Sequence, residues 1–214
     1  MNDKIEEYIL SHIAPEPENL RNLMRTAHVQ MVNPRMNSGH LQGRLLKMFV
    51  SMLRPKLMLE LGAFAGYSAL CMAEGLDDDA KLITVEIDDE KEDFIRARLA
   101  ESPHGKKVEL RIGDALETLD TLRHEFGDLS FDMIFMDADK RTYPECYDKA
   151  LPLLRHGGFL IADNTLWDSH VIDPAYKDRQ TMGIRRFNDK AATDPQVETV
   201  IIPVRDGISL IRKL

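Results

Sequence analysis

The chain has 214 residues, 43% of them hydrophobic and 30% charged, with 12 glycines and 10 prolines; this fits one globular domain spanning 1–214 and excludes disordered, collagen-like and low-complexity classes. Its 28 Lys and Arg against 36 Asp and Glu give a formal net charge of -8, which repels polyanions on average and argues against a general nucleic-acid coat. Cys71 and Cys146 lack CxxC spacing, the acidic opening MNDKIEEYIL lacks the basic start of a signal peptide, and no window reaches bilayer length, so a reduced cytoplasmic setting with no membrane is expected.

From the N terminus, Ile5, Tyr8, Ile9 and Ile13 share one helical face, with Asp3 and Glu6 as a capping box, before Pro15 and Pro17 stop the helix. A second helix carries Leu20, Leu23, Met24, Ala27 and Met31 as far as Pro34. A third carries Leu41, Leu45, Leu46, Phe49, Val50 and Leu53 before Arg54-Pro55. Between them MNSGHLQG reads as a glycine-punctuated turn. From Leu57 the short apolar runs LMLEL, KLITVE, VELRI, FDMIFM and FLIAD alternate with helical segments, which signals a parallel α/β sheet. The tail departs from this rhythm: VETVII and ISLIRKL are separated only by 203–207, too short for a crossover helix, so they are expected to pair antiparallel.

Three motifs sit where the strands end. The first, Glu60-Leu61-Gly62-Ala63-Phe64-Ala65-Gly66-Tyr67-Ser68, follows the first strand and opens a helix, the place where a doubly wound sheet lets backbone approach a nucleotide. Gly62 and Gly66 lack GxGxxG spacing and no P-loop lysine follows, which disfavours a bound pyrophosphate; the same glycines also suit a plain tight turn. The second is Glu86, closing KLITVE, where a carboxylate can accept both ribose hydroxyls of an adenosine. On the next loop, Gly113-Asp114-Ala115 can line the adenine side or supply a helix N-cap through Asp114.

The third motif is Asp137-Ala138-Asp139-Lys140 after the fourth strand with Asp163-Asn164 after the fifth. Two carboxylates and an amide oxygen are hard ligands for Mg²⁺, with Mn²⁺ or Ca²⁺ as substitutes. The 7 histidines are scattered without ligand spacing, which disfavours zinc. Helix caps at Asp137 and Asp163 and a turn at Asn164 are the alternative use of these residues.

Taken together, MNSGHLQGRLL, LELGAFAGYSAL, ITVEID, IGDAL, FDMIFMDADKRTY, GGFLIADNTLW and DGISLI resemble the cation-dependent, S-adenosylmethionine-using O-methyltransferases of the catechol and caffeoyl-CoA type. The resemblance implies a Rossmann-like class I methyltransferase fold: seven strands, mostly parallel with a C-terminal antiparallel hairpin, helices on both faces and extra N-terminal helices. It implies that Met36 and Ser38 touch the methyl donor, that Glu60, Gly62 and Ser68 hold its amino-acid end, that Phe64 and Gly66 of the same loop also bind it, that Glu86 binds its ribose, and that Asp114 and Ala115 lie near its adenine. It further implies Asp137, Asp163 and Asn164 as ligands of a Mg²⁺-type cation, with Asp137 also beside the donor and Lys140 as general base. Ala138-Asp139 stands where the catechol enzymes carry a His-Trp pair, which points away from simple catechol.

The expected reaction moves a methyl group from S-adenosylmethionine to a hydroxyl of a metal-chelated, catechol-like small molecule, with Trp167 as an apolar wall for the acceptor. The family also suggests a homodimer. A second reading keeps fold and donor but methylates 5-hydroxyuridine in tRNA, with Lys177, Arg179, Arg185 and Arg186 as a phosphate-binding loop. A third, a nicotinamide-dependent oxidoreductase, is disfavoured by the missing third glycine.

Overall fold

The computed structural model describes residues 3–32 and 36–214, with Asp3 described by its backbone alone. Pro34 and the Asp3 side chain of the expected capping box lie outside the described residues. The strands are β1 (Leu57–Leu61), β2 (Lys81–Glu86), β3 (Val108–Ile112), β4 (Phe131–Met136), β5 (Leu154–Asp163), β6 (Val197–Ile202) and β7 (Ile208–Lys213). The helices are α1 (Asp3–His12), α2 (Glu18–Gln30), α3 (Gly39–Leu53), α4 (Tyr67–Gly75), α5 (Glu92–Glu101), α6 (Ala115–Phe126), α7 (Tyr143–Leu153) and α8 (Arg179–Thr193). The strands form a seven-stranded sheet in the order β3-β2-β1-β4-β5-β7-β6. Among the described residues no helix is long and apolar enough to cross a membrane.

The chain divides into two compact units. The first comprises Met1–Lys56 and Ala63–Ile112. Its parallel β2–β3 pair aligns Thr84 with Leu110 and Glu86 with Ile112, and its core gathers Leu20, Leu23, Tyr67, Leu70, Ile95 and Leu110. Full burial of each such aliphatic or aromatic side chain stabilises by about 1.5–3 kcal/mol. The segment read as a turn, MNSGHLQG, turns helical at Gly39. A Cβ at Gly43 would stand 2.6 Å from the Cys71 sulfur and 3.0 Å from the Tyr67 ring, so this glycine marks the close approach of α3 to α4. The Cys71 thiol is buried there, and burial pushes its pKa up to about 12, leaving a neutral packing group. In α1 the expected apolar stripe is not buried: Ile5 is 54% and Tyr8 64% exposed.

The second unit comprises Leu57–Gly62 and Gly113–Leu214. Its pairs are β1–β4 parallel, β4–β5 parallel, and β5–β7 and β6–β7 antiparallel, so the tail forms the expected hairpin. Strand β5 starts at Leu154, well ahead of the FLIAD run, because the β4–β5 register shifts between Phe131 and Met133 and brings Leu154 back opposite Phe131. The polar Arg155-His156 and the left-handed Gly157 (φ +74°) disguise that extension as a turn in the sequence. Beside the sheet, Phe187 of α8 meets Tyr143 and Tyr147 of α7 edge to face, with ring centroids 5.4 and 5.8 Å apart.

Candidate functional site

In the first unit the glycine loop is held by its own backbone. Ala63 donates its N–H to the Val85 carbonyl at 2.9 Å, and Gly66 donates to the Ala63 carbonyl at 2.7 Å. Phe64 (φ +50°) and Gly66 (φ +80°) are both left-handed, a conformation that costs a non-glycine residue about 1 kcal/mol or more. Phe64 adopts it with its N–H donating to Glu86 Oε2 at 2.7 Å. Glu86 is 5% exposed, and its other oxygen accepts the Asp88 N–H at 3.1 Å and the Lys91 ammonium at 3.2 Å. Lys91 also lies 4.9 Å over the Phe64 ring. The sequence relates Glu86 to the glycine loop by spacing, but not to the Phe64 N–H or to Lys91, whose place depends on the 3₁₀ turn Asp89–Lys91 folding it back on the strand end. Ser68 is buried in the first turn of α4, and Ser38 is buried at the start of α3 without a capping hydrogen bond, while Met36 is exposed.

In the second unit Glu60 is fully buried in β1, and Gly62 (φ +105°) follows it. A Cβ at Gly62 would run into the Asp137 carbonyl oxygen, so glycine is required where the ends of β1 and β4 meet. Asp114 N-caps α6, its Oδ1 accepting the Leu116 N–H at 2.8 Å and the Glu117 N–H at 3.2 Å. The cap reading of Asp114 is therefore realised, with Ala115 opening the helix.

The charged cluster lies at the ends of β4 and β5. Met136 pairs with Ala162 in the parallel register, so Asp137 and Asp163 leave adjacent strands side by side. Asp137 Oδ1 accepts the Lys140 ammonium at 2.5 Å, and Lys140 also donates to the Ala138 carbonyl at 3.2 Å. Lys140 is 7% exposed and lies 4.8 Å from the Tyr143 ring centre. Asp163, 4% exposed, accepts the Asn164 N–H at 2.8 Å. Asn164 is left-handed (φ +56°), and its Nδ2 points to Asp206 at 3.4 Å. Beneath them the Tyr143 hydroxyl reaches the carbonyls of Met136 and Asp163, both at 3.0 Å, bracing the two strand ends. Burial raises the Tyr143 pKa well above its ordinary value, and the charges of Asp137 and Asp163 raise it further. Both carboxylates are thus within electrostatic reach of one phenol.

Among the described residues no group of three or more His, Cys, Asp or Glu side chains is placed to hold a metal ion. The predicted set is of a different kind, two carboxylates completed by the Asn164 amide oxygen. Two hard anionic donors and one neutral one fit a Mg²⁺-type ion that keeps several positions for water or substrate. In this structure the Lys140 ammonium supplies the positive charge at Asp137. Asp206 and Tyr143 were missed by sequence reasoning, because each reaches the cluster only through the tertiary fold.

The basic segment read as a phosphate-binding loop is different in the structure. Arg179, Arg185 and Arg186 lie on α8, which Asp178 N-caps through Gln180 and Thr181, both at 3.0 Å. Arg185 donates to the carbonyls of Val171, Tyr176, His170 and Asp173, at 3.0, 2.8, 2.8 and 2.5 Å. It therefore staples the preceding loop and has no fork left for a phosphate. Trp167, half-buried, opens that loop with Asp168 and Ser169, three successive left-handed residues.

The O-methyltransferase family model matches residues 10–214. Tricin synthase 2 from Oryza sativa subsp. japonica is 34% identical, over all of this chain and 76% of its own length. Caffeoyl-CoA O-methyltransferase from Eucalyptus gunnii is 32% identical, over all of this chain and 88% of its own. Among solved structures, an O-methyltransferase from Bacillus cereus in complex with S-adenosylhomocysteine superimposes with a TM-score of 0.91 at 28% identity, covering 99% of this chain and 97% of that one. A glycine loop joined to a strand-end glutamate, an Asp-Asp-Asn set with an adjacent lysine, and a family match across nearly the whole length lead to one assignment: the chain belongs to the O-methyltransferase family.

Proposed function

We propose that this chain transfers the methyl group of S-adenosylmethionine to one of two adjacent hydroxyls of a phenolic small molecule held on a divalent cation. The observation that carries the reading is the β4–β5 register, which sets Asp137 beside Asp163-Asn164 with Lys140 on the Asp137 carboxylate. The donor is supported by the Bacillus cereus neighbour, whose S-adenosylhomocysteine is S-adenosylmethionine after loss of its methyl group. The acceptor class is supported by the caffeoyl-CoA relative. In this reading Glu86 receives the ribose, and the Ala63–Gly66 turn fixes the donor's orientation.

A hard cation held by Asp137, Asp163 and Asn164 would bind two neighbouring acceptor oxygens and stabilise the oxyanion. Lys140 does the proton chemistry. Asp137 and the Ala138 carbonyl fix two of the three positions on its nitrogen, so in the free amine the lone pair is left to take the hydroxyl proton. The oxygen then forms its bond to the methyl carbon as the carbon–sulfur bond breaks, and the electron pair stays on sulfur as a neutral thioether. Holding both reactants in line supplies a large share of the rate.

The test is a methyl-transfer assay with Mg²⁺ against a panel of catechols and caffeoyl thioesters, each with its monophenol counterpart, and against unmodified tRNA. Transfer to the paired hydroxyls, lost with chelator and restored by Mg²⁺, is the expected result. Equal rates on monophenols, or full activity in chelator, would overturn the chelation step; methylation of tRNA alone would replace the acceptor.

A further inference from the structure

The carboxylate of Glu86 is crowded before any ligand reaches it. Two oxygens offer about four acceptor positions. Oε2 carries the Phe64 N–H, while Oε1 carries both the Asp88 N–H and the Lys91 ammonium. One position therefore remains, on Oε2. A ribose brings two vicinal hydroxyls, each needing an acceptor, so the second has to take a position now filled. The two backbone N–H groups are fixed by the left-handed Phe64 and by the turn into Asp89–Lys91. Lys91 alone is held by a flexible stem, and it already has a second anion within reach, Asp88 Oδ2 at 3.2 Å. That carboxylate is 40% exposed against 5% for Glu86, so it can accept the ammonium without desolvation. The Phe64 ring, 4.9 Å below the ammonium, serves either position.

We propose that Lys91 is a latch on the ribose site: it neutralises Glu86 in the free protein and withdraws onto Asp88 when the donor's hydroxyls arrive. This rests on the reading that Glu86 receives the ribose. Lys91 is then a positioning residue with a definite sign: it competes with the donor. The latch keeps a nearly buried carboxylate from standing without a counter-charge, a costly state in a protein interior, and it imposes an exchange only on a ligand whose second hydroxyl needs the position Lys91 fills. A ligand with two vicinal hydroxyls recovers that cost, while one lacking them leaves the latch closed.

The experiment is calorimetric binding of S-adenosylhomocysteine to the full chain, with its 2′,3′-dideoxy analogue as control. Glu86→Gln should weaken binding at least about tenfold. Unchanged affinity there would remove the ribose reading itself, whatever Lys91 does. Given that loss, Lys91→Met should tighten S-adenosylhomocysteine about fivefold and leave the dideoxy analogue unchanged. Lys91→Arg, whose planar fork grips a carboxylate more firmly, should weaken it by a similar factor. Asp88→Asn, which keeps the oxygen that caps Glu90 but removes the fallback charge, should weaken binding only while Lys91 is present. Weaker binding in Lys91→Met with wild-type affinity in Lys91→Arg would overturn the latch and make Lys91 a support for Glu86. Should Lys91→Met fail to fold, Lys91→Arg and Asp88→Asn decide alone: weaker binding in both is the expected result, and wild-type affinity in both would overturn the latch.

Discussion

Around Glu86 the chain builds with backbone: two fixed N–H groups, one from the left-handed Phe64 and one from Asp88, hold the carboxylate that Lys91 then covers. Around Asp163 it builds with side chains: Lys140 on Asp137, Asn164 against Asp206, and the Tyr143 hydroxyl under both strand ends. The first plan stores its information in φ angles, so its weak points are glycines. The second stores it in charge, so its weak points are single carboxylates and one lysine. A substitution that leaves the backbone alone should disturb the second region far more than the first.

The sharpest way to break that contrast is Asp163→Ala. It removes one of the two carboxylates proposed to hold the cation and leaves the β5 backbone intact, so on that proposal methyl transfer should fall by more than about a thousandfold. S-adenosylhomocysteine affinity should stay within about twofold, read by calorimetry on the same preparation. An equal loss of donor binding would show that the two regions do not carry separate tasks. Next in size is Lys140→Ala, for which a loss of about a hundredfold in kcat is expected, as for removal of a positioned base. Rates unchanged on every accepted substrate would reduce Lys140 to a counter-ion for Asp137.

How much of this contrast was legible in the sequence follows the same division. The strands β1 to β4 and β6 fall on the predicted runs, because each is a short apolar stretch closed by polar or glycine residues. Glu86, Asp137, Asp163 and Asn164 could be placed at the strand ends from the sequence, because each closes or directly follows one of the apolar runs. Lys91, Tyr143 and Asp206 were not, since their partners come from turns that only the fold defines. The early start of β5 was hidden by Arg155-His156-Gly157-Gly158, and the start of α3 by Gly39 and Gly43, where a close helix contact and not a turn explains the second glycine. In the basic run 177–186 the sequence also leaves the partners of one arginine hidden. Charge spacing shows four cations, but not that Arg185 spends its donors on four carbonyls of its own chain.

The backbone-built region has its own breaking point at Gly66. At φ +80° and with Ile95 Cγ2 only 3.3 Å from the place of a Cβ, Gly66→Ala should destabilise the fold by about 2 kcal/mol, read as a lower denaturant midpoint with unchanged slope. Donor affinity should fall in the same variant, because the turn that aims the Phe64 N–H at Glu86 is the part under strain. A stability loss without any loss of affinity would separate the loop's structural role from its binding role.

The smallest effect expected lies away from both sites and asks whether charge also supports the backbone-built unit. Arg44 of α3 grips Glu74 of α4 with two bonds of 2.9 and 2.7 Å, and this hydrogen bonding, ahead of the opposing burial, holds the Glu74 carboxyl below its ordinary value of 4.5. A carboxyl whose pKa is lower folded than unfolded binds its proton more readily in the unfolded chain, so the pair stabilises the fold above pH 4.5 and loses its contribution as pH falls through the depressed folded value. The glutamate side chain is 24% exposed, so solvent screening keeps the gain near about 1 kcal/mol. The stability gap between wild type and Glu74→Gln, taken from urea unfolding, should therefore be flat from pH 7 down to about 5 and should narrow on further acidification. A gap that persists unchanged at the acid end would assign it to lost packing between α3 and α4 around Gly43, and the charge of the Arg44–Glu74 pair would then add nothing to the stability that the apolar core gives the first unit.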